Sequence, residues 1–382
     1  MLSKKLLKTK FLANLFNFKN KKQSTSPKNS QYIIIPKNSS AKQNTESKIT
    51  NSKAKLIKKL SLINGYVCQA EEKIIKKLQT KQSIARIDAD LILQINKNEE
   101  EEEVIPWGVK TIQALEAWAH FRKVQVGVID TGVDLNHHDL APIKKGVNIA
   151  EPKSTPQDFH GHGTHISGTI AGRKNGKGVL GIVPDAELYP IQIFDKQGEA
   201  HLSSLIEALE WSIDNQLQVL NMSFGTTEHN YSLKDAVQKA YQAGVIMVAA
   251  AGNNSTSPIE FPARYPEVIG VGAVNKENKP ASFSNYGPEL DLLAPGVKIK
   301  STWKNNSFRK LNGTSMAAAH VSGAIAFLLS IFNKLQPLEV KEILKTGAYK
   351  LDGVPTCKQG AGVVNALASI KIAQEMLLNG DK

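Results

Sequence analysis

The segment Val124-Gln-Val-Gly-Val-Ile-Asp-Thr-Gly-Val133 begins with a short Val/Ile-rich run that ends at a single acidic residue. Such a run is typical of a strand buried on both faces of a sheet. Further runs of the same kind follow, with helical stretches such as Leu202–Asn215 and Leu233–Ala243 between them. Those runs are Leu188–Phe194, Val219–Phe224, Val245–Ala251 and Val268–Val274. The sequence therefore predicts an α/β fold with a mostly parallel central sheet and helices on both faces.

Active sites in such sheets lie at the carboxyl ends of the strands, where polar residues of three kinds occur. Asp130 ends the first run, and His162 lies at the predicted start of a helix. Ser315 likewise precedes an apolar helical stretch from Met316 to about Phe332. A helix N-terminus offers free N–H groups and a positive dipole end, which suit a developing oxyanion.

These three residue types form a nucleophilic site when they meet. A serine hydroxyl reacts only when a histidine takes its proton, and a carboxylate must orient that histidine. Asp130, His162 and Ser315 supply these groups, and Asn253 in Ala249-Ala-Ala-Gly-Asn253 offers an amide donor at a strand end. The sequence therefore contains all the groups of a hydrolytic site with a serine nucleophile.

Residues 105–375 resemble the catalytic domain of the subtilisin-like serine proteases. Seven motifs carry the resemblance: Val128-Ile-Asp-Thr-Gly132, His162-Gly-Thr-His165, Leu220-Asn-Met-Ser-Phe-Gly225, Ala251-Gly-Asn253, Phe261-Pro-Ala-Arg-Tyr-Pro266, Leu293-Ala-Pro-Gly296 and Gly313-Thr-Ser-Met-Ala317. The resemblance implies that Asp130 orients His162, which serves as general base and then general acid. It implies further that Ser315 is the nucleophile and that Asn253 completes the oxyanion hole.

The resemblance also implies that substrate binds as an extended strand along a sheet edge. Residues matching those that line the first specificity pocket are Ser223, Phe224, Gly225, Ala250, Ala251 and Gly252, with Glu260 at its base. If Glu260 faces the pocket, we expect a preference for Lys or Arg before the scissile bond. The alternative is that Glu260 turns towards solvent.

Residues 31–96 resemble the propeptides of this family, small α+β modules that assist folding and occupy the active site. Tyr32–Ile35 predicts a strand, Ala70–Leu78 an amphipathic helix, and Ile84–Ile95 a pair of strands. The acidic linker 97–104 follows, and like charges keep such a run exposed. We therefore expect a self-processing zymogen cleaved in or beside this linker, with Lys97 a candidate cleavage point.

A structural calcium ion is a further expectation from the resemblance, since hard cations take oxygen ligands. The matching positions are the side chains of Asp139 and Asn175 and the carbonyls of Arg173, Lys177 and Val179, with Glu103 as an additional ligand. Without a metal, Asp139 would be a surface turn residue. Zinc is not expected, because no carboxylate lies between His162 and His165 to form H-E-x-x-H.

The net charge of +13 is concentrated near the N-terminus. Residues 1–103 hold 21 Lys and Arg against 10 Asp and Glu, which accounts for +11. We interpret residues 1–30 as a basic, disordered leader, and we expect no nucleic-acid partner because no aromatic residues interleave with the charge. No run of about 18 apolar residues and no clear secretory signal are found, which favours a cytoplasmic protein, with an extracellular one as the alternative.

Two functions from different classes fit the sequence. One is a monomeric serine endopeptidase that acts on proteins or peptides and is inhibited by its own propeptide. The other is a catalytically silent binding protein with the same fold and a retained propeptide, although binding alone would not require all four site groups. One position departs from the family pattern: Ala319 stands where a proline is usual, so a local bend in the helix is expected to be lost.

Overall fold

The computed structural model describes residues 30–95, 106–114, 122–140, 143–176, 178–184 and 186–380. The predicted acidic linker and all of the predicted leader except Ser30 lie outside these residues. The chain forms two compact units, each with its own core. One comprises residues up to Lys58 together with Tyr66–Ala89, and the other comprises Lys59–Gly65 and the chain from Asp90 onward.

The first unit has an α+β arrangement. Its elements are β1 (Ser30–Pro36), α1 (Lys42–Thr50), β2 (Lys55–Leu60), β3 (Gly65–Ala70), α2 (Glu72–Gln79) and β4 (Ile84–Ala89). The sheet order is β2-β3-β1-β4, and β1 runs antiparallel to both of its neighbours. Apolar side chains from strands and helices, such as Ile34, Ile49 and Leu78, form its core. Burial there raises the pKa of the Cys68 thiol to about 12, so this cysteine is an unreactive core residue.

The second unit is a larger α/β structure. Its elements are β5 (Ile92–Ile95), α3 (Trp107–Thr111), β6 (Gln125–Asp130), β7 (Val147–Asn148), α4 (His162–Ala171), β8 (Glu187–Gln192), β9 (Glu199–His201), α5 (Leu202–Asp214), β10 (Val219–Met222), β11 (Phe224–Gly225), α6 (Tyr231–Gln242), β12 (Ile246–Ala250), β13 (Val268–Val274), β14 (Leu292–Pro295), β15 (Ile299–Trp303), β16 (Ser307–Leu311), α7 (Thr314–Ile331), α8 (Pro337–Thr346), α9 (Thr356–Gln359) and α10 (Ala366–Gly380).

A seven-stranded sheet of order β14-β13-β12-β10-β6-β8-β7 forms the centre of this unit, and every neighbouring pair in it is parallel. Strands β6, β10, β12 and β13 are buried along almost their whole length, which explains why their sequences show apolar runs. The predicted parallel α/β fold is confirmed. The sequence analysis does not predict β14, because its four residues include a proline.

Helix α7 is the central helix of the core. All of its residues except Ile331 are buried, and it contacts α4 and the strands β10, β12 and β13. Among the described residues it is the one helix long and apolar enough to cross a membrane, although the sequence analysis finds no such run. Since 94% of it is buried inside the fold, we interpret it as a core helix. It continues without a break through Ala319.

The two strands predicted in Ile84–Ile95 belong to two different sheets. The segment does form two strands, but β4 pairs with β1, whereas β5 lies between β9 and β11 in a separate three-stranded antiparallel sheet. Asp90 is the first residue of the second unit, and it accepts hydrogen bonds from the N–H and hydroxyl of Ser203 at 2.7 and 2.8 Å. These bonds join β5 to the start of α5.

Candidate active site

Asp130 and His162 meet at the carboxyl end of the central sheet. Asp130 is the last residue of β6 and is fully buried, and His162 is the first residue of α4. The two carboxylate oxygens lie 2.8 and 2.9 Å from His162 Nδ1. An ionised carboxylate only accepts hydrogen bonds, so the proton of a neutral imidazole belongs on Nδ1 and Nε2 is left as an acceptor.

Ser315 is the second residue of α7, so its N–H lies within the first turn, where backbone donors lack intrahelical partners. Its hydroxyl donates to the carbonyl oxygen of Ser223 at 3.1 Å. His162 Nε2 is buried and has no hydrogen-bond partner among the described residues. In this structure the serine hydroxyl therefore points to the backbone, and reaction would require it to rotate towards an acceptor.

The side chain of Asn253 is held so that its NH₂ group remains available. Its Oδ1 accepts from the N–H and the hydroxyl of Thr314 at 2.9 and 3.0 Å. Its Nδ2 is buried without a hydrogen-bond partner in the described part of the chain. An unpaired buried donor costs about 1–3 kcal/mol of stability. We therefore interpret Nδ2 as a donor that pairs with an oxygen atom of a bound ligand.

Two polar groups support the histidine and were missed by the sequence analysis. Thr131 donates to Asp130 Oδ1 through its N–H at 2.7 Å and accepts from the N–H of Gly163 at 3.0 Å. Asp158 is buried and accepts from the N–H groups of His160, Gly161 and Thr164 at 2.7–2.9 Å, as a cap on the start of α4. Burial raises the pKa of Asp158. The signal available in the sequence was an Asp four residues before His162.

The nucleophile segment is supported by a chain of buried polar side chains. Ser322 donates to Asn221 Oδ1 at 3.1 Å, and Asn221 Nδ2 donates to the hydroxyl of Ser223 at 2.8 Å. That hydroxyl donates to the carbonyl of Ser315 at 3.2 Å. The chain links α7 to β10 and fixes Ser315 against the end of the sheet.

The extended strand β5 lies between β11 and β9 and pairs with both. Within β5, Ile95 is opposite Phe224 and Gln94 is opposite Gly225, and on the other side Leu93 is opposite Ala200. This backbone pairing is the strand addition by which extended peptides bind to sheet edges. The strand runs towards Ser223, whose carbonyl accepts the hydroxyl of Ser315.

Glu260 lies beside this edge and is 4% exposed, so it does not turn to solvent. A Cβ placed on Gly225 would lie 2.5 Å from its Oε2, and one placed on Gly252 would lie 2.7 Å from its Oε1. The carboxylate therefore occupies the space next to both glycines that match pocket-lining positions. Asn254 Nδ2 donates to its Oε1 at 2.9 Å. Burial raises the pKa of Glu260, although this hydrogen bond opposes the shift.

The other predicted pocket residues are buried close to these glycines. Ser223 and Phe224 are fully buried at the end of β10 and in β11, and Ala250 and Ala251 are fully buried at the end of β12. The N–H of Glu260 donates to the carbonyl of Ala251 at 3.0 Å, which links the pocket base to one of its walls.

The loop after α4 wraps around Asp139, which is fully buried. Asn175 Nδ2 donates to its Oδ1 at 2.9 Å and the N–H of Val179 donates to its Oδ2 at 2.7 Å, while the N–H of Arg173 donates to its carbonyl at 2.9 Å. Two predicted ligands, Lys177 and Glu103, lie outside the described residues. Burial raises the pKa of Asp139, so a bound cation would stabilise its ionised form.

The remaining histidines near the site have structural roles. Burial lowers the pKa of His165 to about 3 and that of His320 to about 4, so both are neutral near pH 7. His165 Nε2 lies 3.0 Å from the carbonyl of Ile299, and His320 Nδ1 lies 2.8 Å from the carbonyl of Met316. Across the described ranges, no group of three His, Cys, Asp or Glu side chains is arranged to hold a metal ion.

Comparisons with known proteins agree with this fold. The model of the subtilase family matches residues 122–364. Subtilisin NAT from Bacillus subtilis subsp. natto is 37% identical over 329 residues, which cover 84% of each chain. Subtilisin DY from Bacillus licheniformis is 40% identical over 274 residues, 70% of this chain and 99% of the relative.

A solved structure shows the same architecture over most of the chain. The crystal structure of fervidolysin from Fervidobacterium pennivorans, described as a keratinolytic enzyme related to subtilisin, matches with a TM-score of 0.80 at 26% identity. The match covers 90% of this chain and 61% of fervidolysin, so this chain spans less than two thirds of that protein.

The fold and these similarities define the class as a subtilisin-like serine protease. The chain belongs to the subtilase family, and it is a serine endopeptidase of the subtilisin type.

Proposed function

We propose that this protein hydrolyses peptide bonds through an Asp130–His162–Ser315 triad and that it is made as a self-processing zymogen. The observation that carries the proposal is the buried pair of Asp130 and His162 Nδ1, which leaves Nε2 as a base without a partner among the described residues. Ser315 supplies the nucleophile at the N-terminus of α7. Protein or peptide substrates follow from this chemistry.

The proposed reaction begins when the Ser315 hydroxyl leaves the carbonyl of Ser223 and turns towards His162 Nε2. The imidazole takes the proton as Oγ attacks the peptide carbonyl, and Asp130 stabilises the resulting imidazolium. His162 then gives the proton to the leaving amine, and an acyl-enzyme forms on Ser315. Water repeats the sequence and releases the acid.

The negative charge on the attacked oxygen would be stabilised by two donors. One is the N–H of Ser315 in the first turn of α7, and the other is Asn253 Nδ2. Because Thr314 fixes the opposite end of the amide, Nδ2 needs little reorganisation when the charge develops.

We propose that Glu260 selects Lys or Arg as the residue before the scissile bond. Its carboxylate is buried beside the two pocket glycines, and Asn254 is its neutral hydrogen-bond donor. Burial removes the water that would otherwise stabilise the ionised carboxylate. A cationic side chain that enters the pocket would stabilise it instead, as an opposite charge at close range.

We propose that residues 31–96 are the propeptide and that β5, near the end of this segment, marks how it occupies the substrate edge. The strand is paired on both sides, as a bound substrate would be, and it runs towards Ser223. Asn96 and Lys97 follow it directly in the sequence, so cleavage is expected after one of these two residues.

We propose that calcium binds beside Asp139. The side chains of Asp139 and Asn175 and the carbonyls of Arg173, Lys177 and Val179 would hold it, with Glu103 as an additional ligand. The buried carboxylate and its adjoining amide fit a hard cation, provided that the Asn175 amide turns its oxygen to the ion. The ion would stabilise the loop and would take no part in the chemistry.

The test compares the intact mass and N-terminal sequence of purified wild type with those of Ser315→Ala. We expect only the wild type to shorten, with a new N-terminus at Lys97 or Asn98, and to hydrolyse a protein substrate. Ser330→Ala is the matched control, because it removes another buried hydroxyl from α7. A wild type that stays at full length and hydrolyses nothing would refute the proposal.

A further inference from the structure

A groove of about 880 Å³ lies between the two helices of the first unit, α1 and α2. Its volume falls within the range of ligand sites in proteins, roughly 300–1,000 Å³. All of its lining residues belong to the first unit, and five of the thirteen are lysines. The proposed reaction, the specificity pocket and the calcium site use none of them, so the groove requires a separate explanation.

One wall of the groove is a row of lysines along α2. Lys73 and Lys77 are four residues apart on this helix, and Lys81 follows four residues later, just after the helix ends at Gln79. Residues spaced by four are neighbours on one face of a helix, and like charges at this spacing destabilise it. An anionic ligand in the groove would therefore remove an unfavourable interaction.

Two further lysines, Lys48 of α1 and Lys53 of the turn after it, also line the groove. Lys48 Nζ donates to the hydroxyl of Ser83 at 3.2 Å, which is a neutral group and leaves the lysine charge in place. The one acidic residue among the thirteen is Glu71, whose carboxylate lies 2.7 Å from Lys73 Nζ. The groove lining therefore supplies one carboxylate against five lysine charges.

The rest of the lining suits a polypeptide. Its apolar part includes Ile74 and Leu78, which lie four residues apart on α2 and pack into the core of the unit. On α1, Asn44, Ser47 and Asn51 follow one another at spacings of three and four residues, and their side chains can donate and accept hydrogen bonds. Apolar surface, neutral polar groups and cations together match a peptide that carries both apolar and acidic side chains.

Other anionic partners fit this lining less well. Single-stranded nucleic acids stack their bases on aromatic side chains, and none of the thirteen lining residues is aromatic. A bilayer surface takes up apolar side chains that project from a protein, whereas Leu78 is only 2% exposed. A free phosphate chain would contact the lysines and leave the apolar residues without a partner.

We propose that the groove between α1 and α2 binds an acidic peptide segment of another protein, with its carboxylates on the lysines and its apolar side chains against Ile74 and Leu78. The helices span nine and eight residues, which is about 12–14 Å. An extended peptide advances about 3.3 Å per residue, so about four residues fill the groove. The groove lies within residues 31–96, so the peptide would bind the precursor and not the processed enzyme, a consequence that rests on the proposed function.

The experiment uses the full-length chain with Ser315→Ala, so that neither the chain nor the peptide is hydrolysed. The probe is a fluorescent peptide of alternating residues, Glu-Leu-Glu-Leu-Glu-Leu, and fluorescence anisotropy measures its Kd at low salt. In an extended chain the leucines lie on one side and the glutamates on the other. We expect saturable binding that is lost at about 1 M NaCl, where charges are screened beyond about 3 Å.

A matched pair of variants tests the groove directly. Lys77→Glu with Lys81→Glu should raise Kd at least about tenfold, because each exposed pair contributes up to about a factor of five and the change also adds repulsion. Lys37→Glu with Lys55→Glu is the control and should leave Kd nearly unchanged, since both lysines are exposed in the same unit and neither lines the groove. Lys77→Gln with Lys81→Gln, which adds no repulsion, should have an intermediate effect and keeps the test decisive if charge reversal impairs folding.

Two further ligands test the chemistry of the partner. The peptide Glu-Ser-Glu-Ser-Glu-Ser has the same charge without apolar side chains and should bind at least about fivefold more weakly. Inorganic polyphosphate of similar charge should likewise bind more weakly than the peptide that contains leucine.

Three results would overturn the proposal. One is a chain that binds none of the leucine peptide saturably. Another is a Kd that both the Glu and the Gln variants of the groove leave unchanged, because binding would then involve lysines elsewhere in the chain. The third is equally tight binding of polyphosphate or of the serine peptide, which would show that charge alone is recognised. All of these measurements use a chain without Ser315, so failure here is distinguishable from failure of the proposed function.

Discussion

The sharpest consequence of the site concerns Glu260→Gln. This substitution keeps the volume of the side chain and an oxygen acceptor for Asn254, but it removes the charge. A hydrogen bond to a charged group contributes about 1.5–3 kcal/mol, and about 1.4 kcal/mol corresponds to a factor of ten. We therefore expect the preference for Lys over Met before the scissile bond to fall by about 10- to 100-fold in kcat/KM.

The assay compares two peptides that differ only in Lys or Met at that position, because the two side chains have similar length. Glu228→Gln is the control, since this exposed glutamate lies three residues after Gly225. The ratio of the two kcat/KM values should change only in Glu260→Gln. An unchanged ratio in Glu260→Gln, or a wild type that prefers Met, would refute the reasoning.

The pH dependence gives an independent check on the same residue. Burial raises the pKa of Glu260 above its ordinary value of 4.5, so protonation removes its charge at a higher pH than in an exposed glutamate. The Lys-to-Met ratio of the wild type should therefore rise as pH rises through that pKa, because only the ionised form attracts the cation. In Glu260→Gln the ratio should stay flat over the same range.

The remaining predictions concern the oxyanion donor, its support and the calcium loop. Asn253→Ala should lower kcat by about 10²- to 10³-fold, the range found for such a donor in subtilisin itself, with little change in KM. A rise in KM as large as the fall in kcat would contradict this role. Thr314→Val removes one of the two bonds that orient Asn253 and should lower kcat less than Asn253→Ala, as steady-state kinetics would show. Asp139→Asn should make Tm insensitive to added calcium or chelator, whereas Asp352→Asn, at an exposed position, should respond as the wild type does. Because burial raises the pKa of Asp139, its ionisation destabilises the calcium-free fold as pH rises, so the gain in Tm from calcium should be larger at neutral pH than at pH 4.

The sequence predicted the parallel sheet well because strands buried on both faces appear as continuous apolar runs. Val268–Val274 is apolar at nearly every position, and the strand has those bounds. The short strand β14 has only four residues, one of them a proline, so it does not form such a run. Alternation in Ile84–Ile95 predicted two strands but not their partners, because alternation shows only that residues are extended.

The sequence by itself determined the chemistry available to this protein, because the residue types and the motifs around Asp130, His162 and Ser315 are local features of the chain. Only the tertiary structure decided how those groups face one another. Within the part of the chain that the structure describes, it left His162 Nε2 and Asn253 Nδ2 unpaired, and it buried Glu260 beside Gly225 and Gly252. These residues are far apart in sequence, and their contacts arise from the packing of α7 and the strand ends. Burial and hydrogen-bond partners depend on that packing, so no reading of neighbouring residues could supply them.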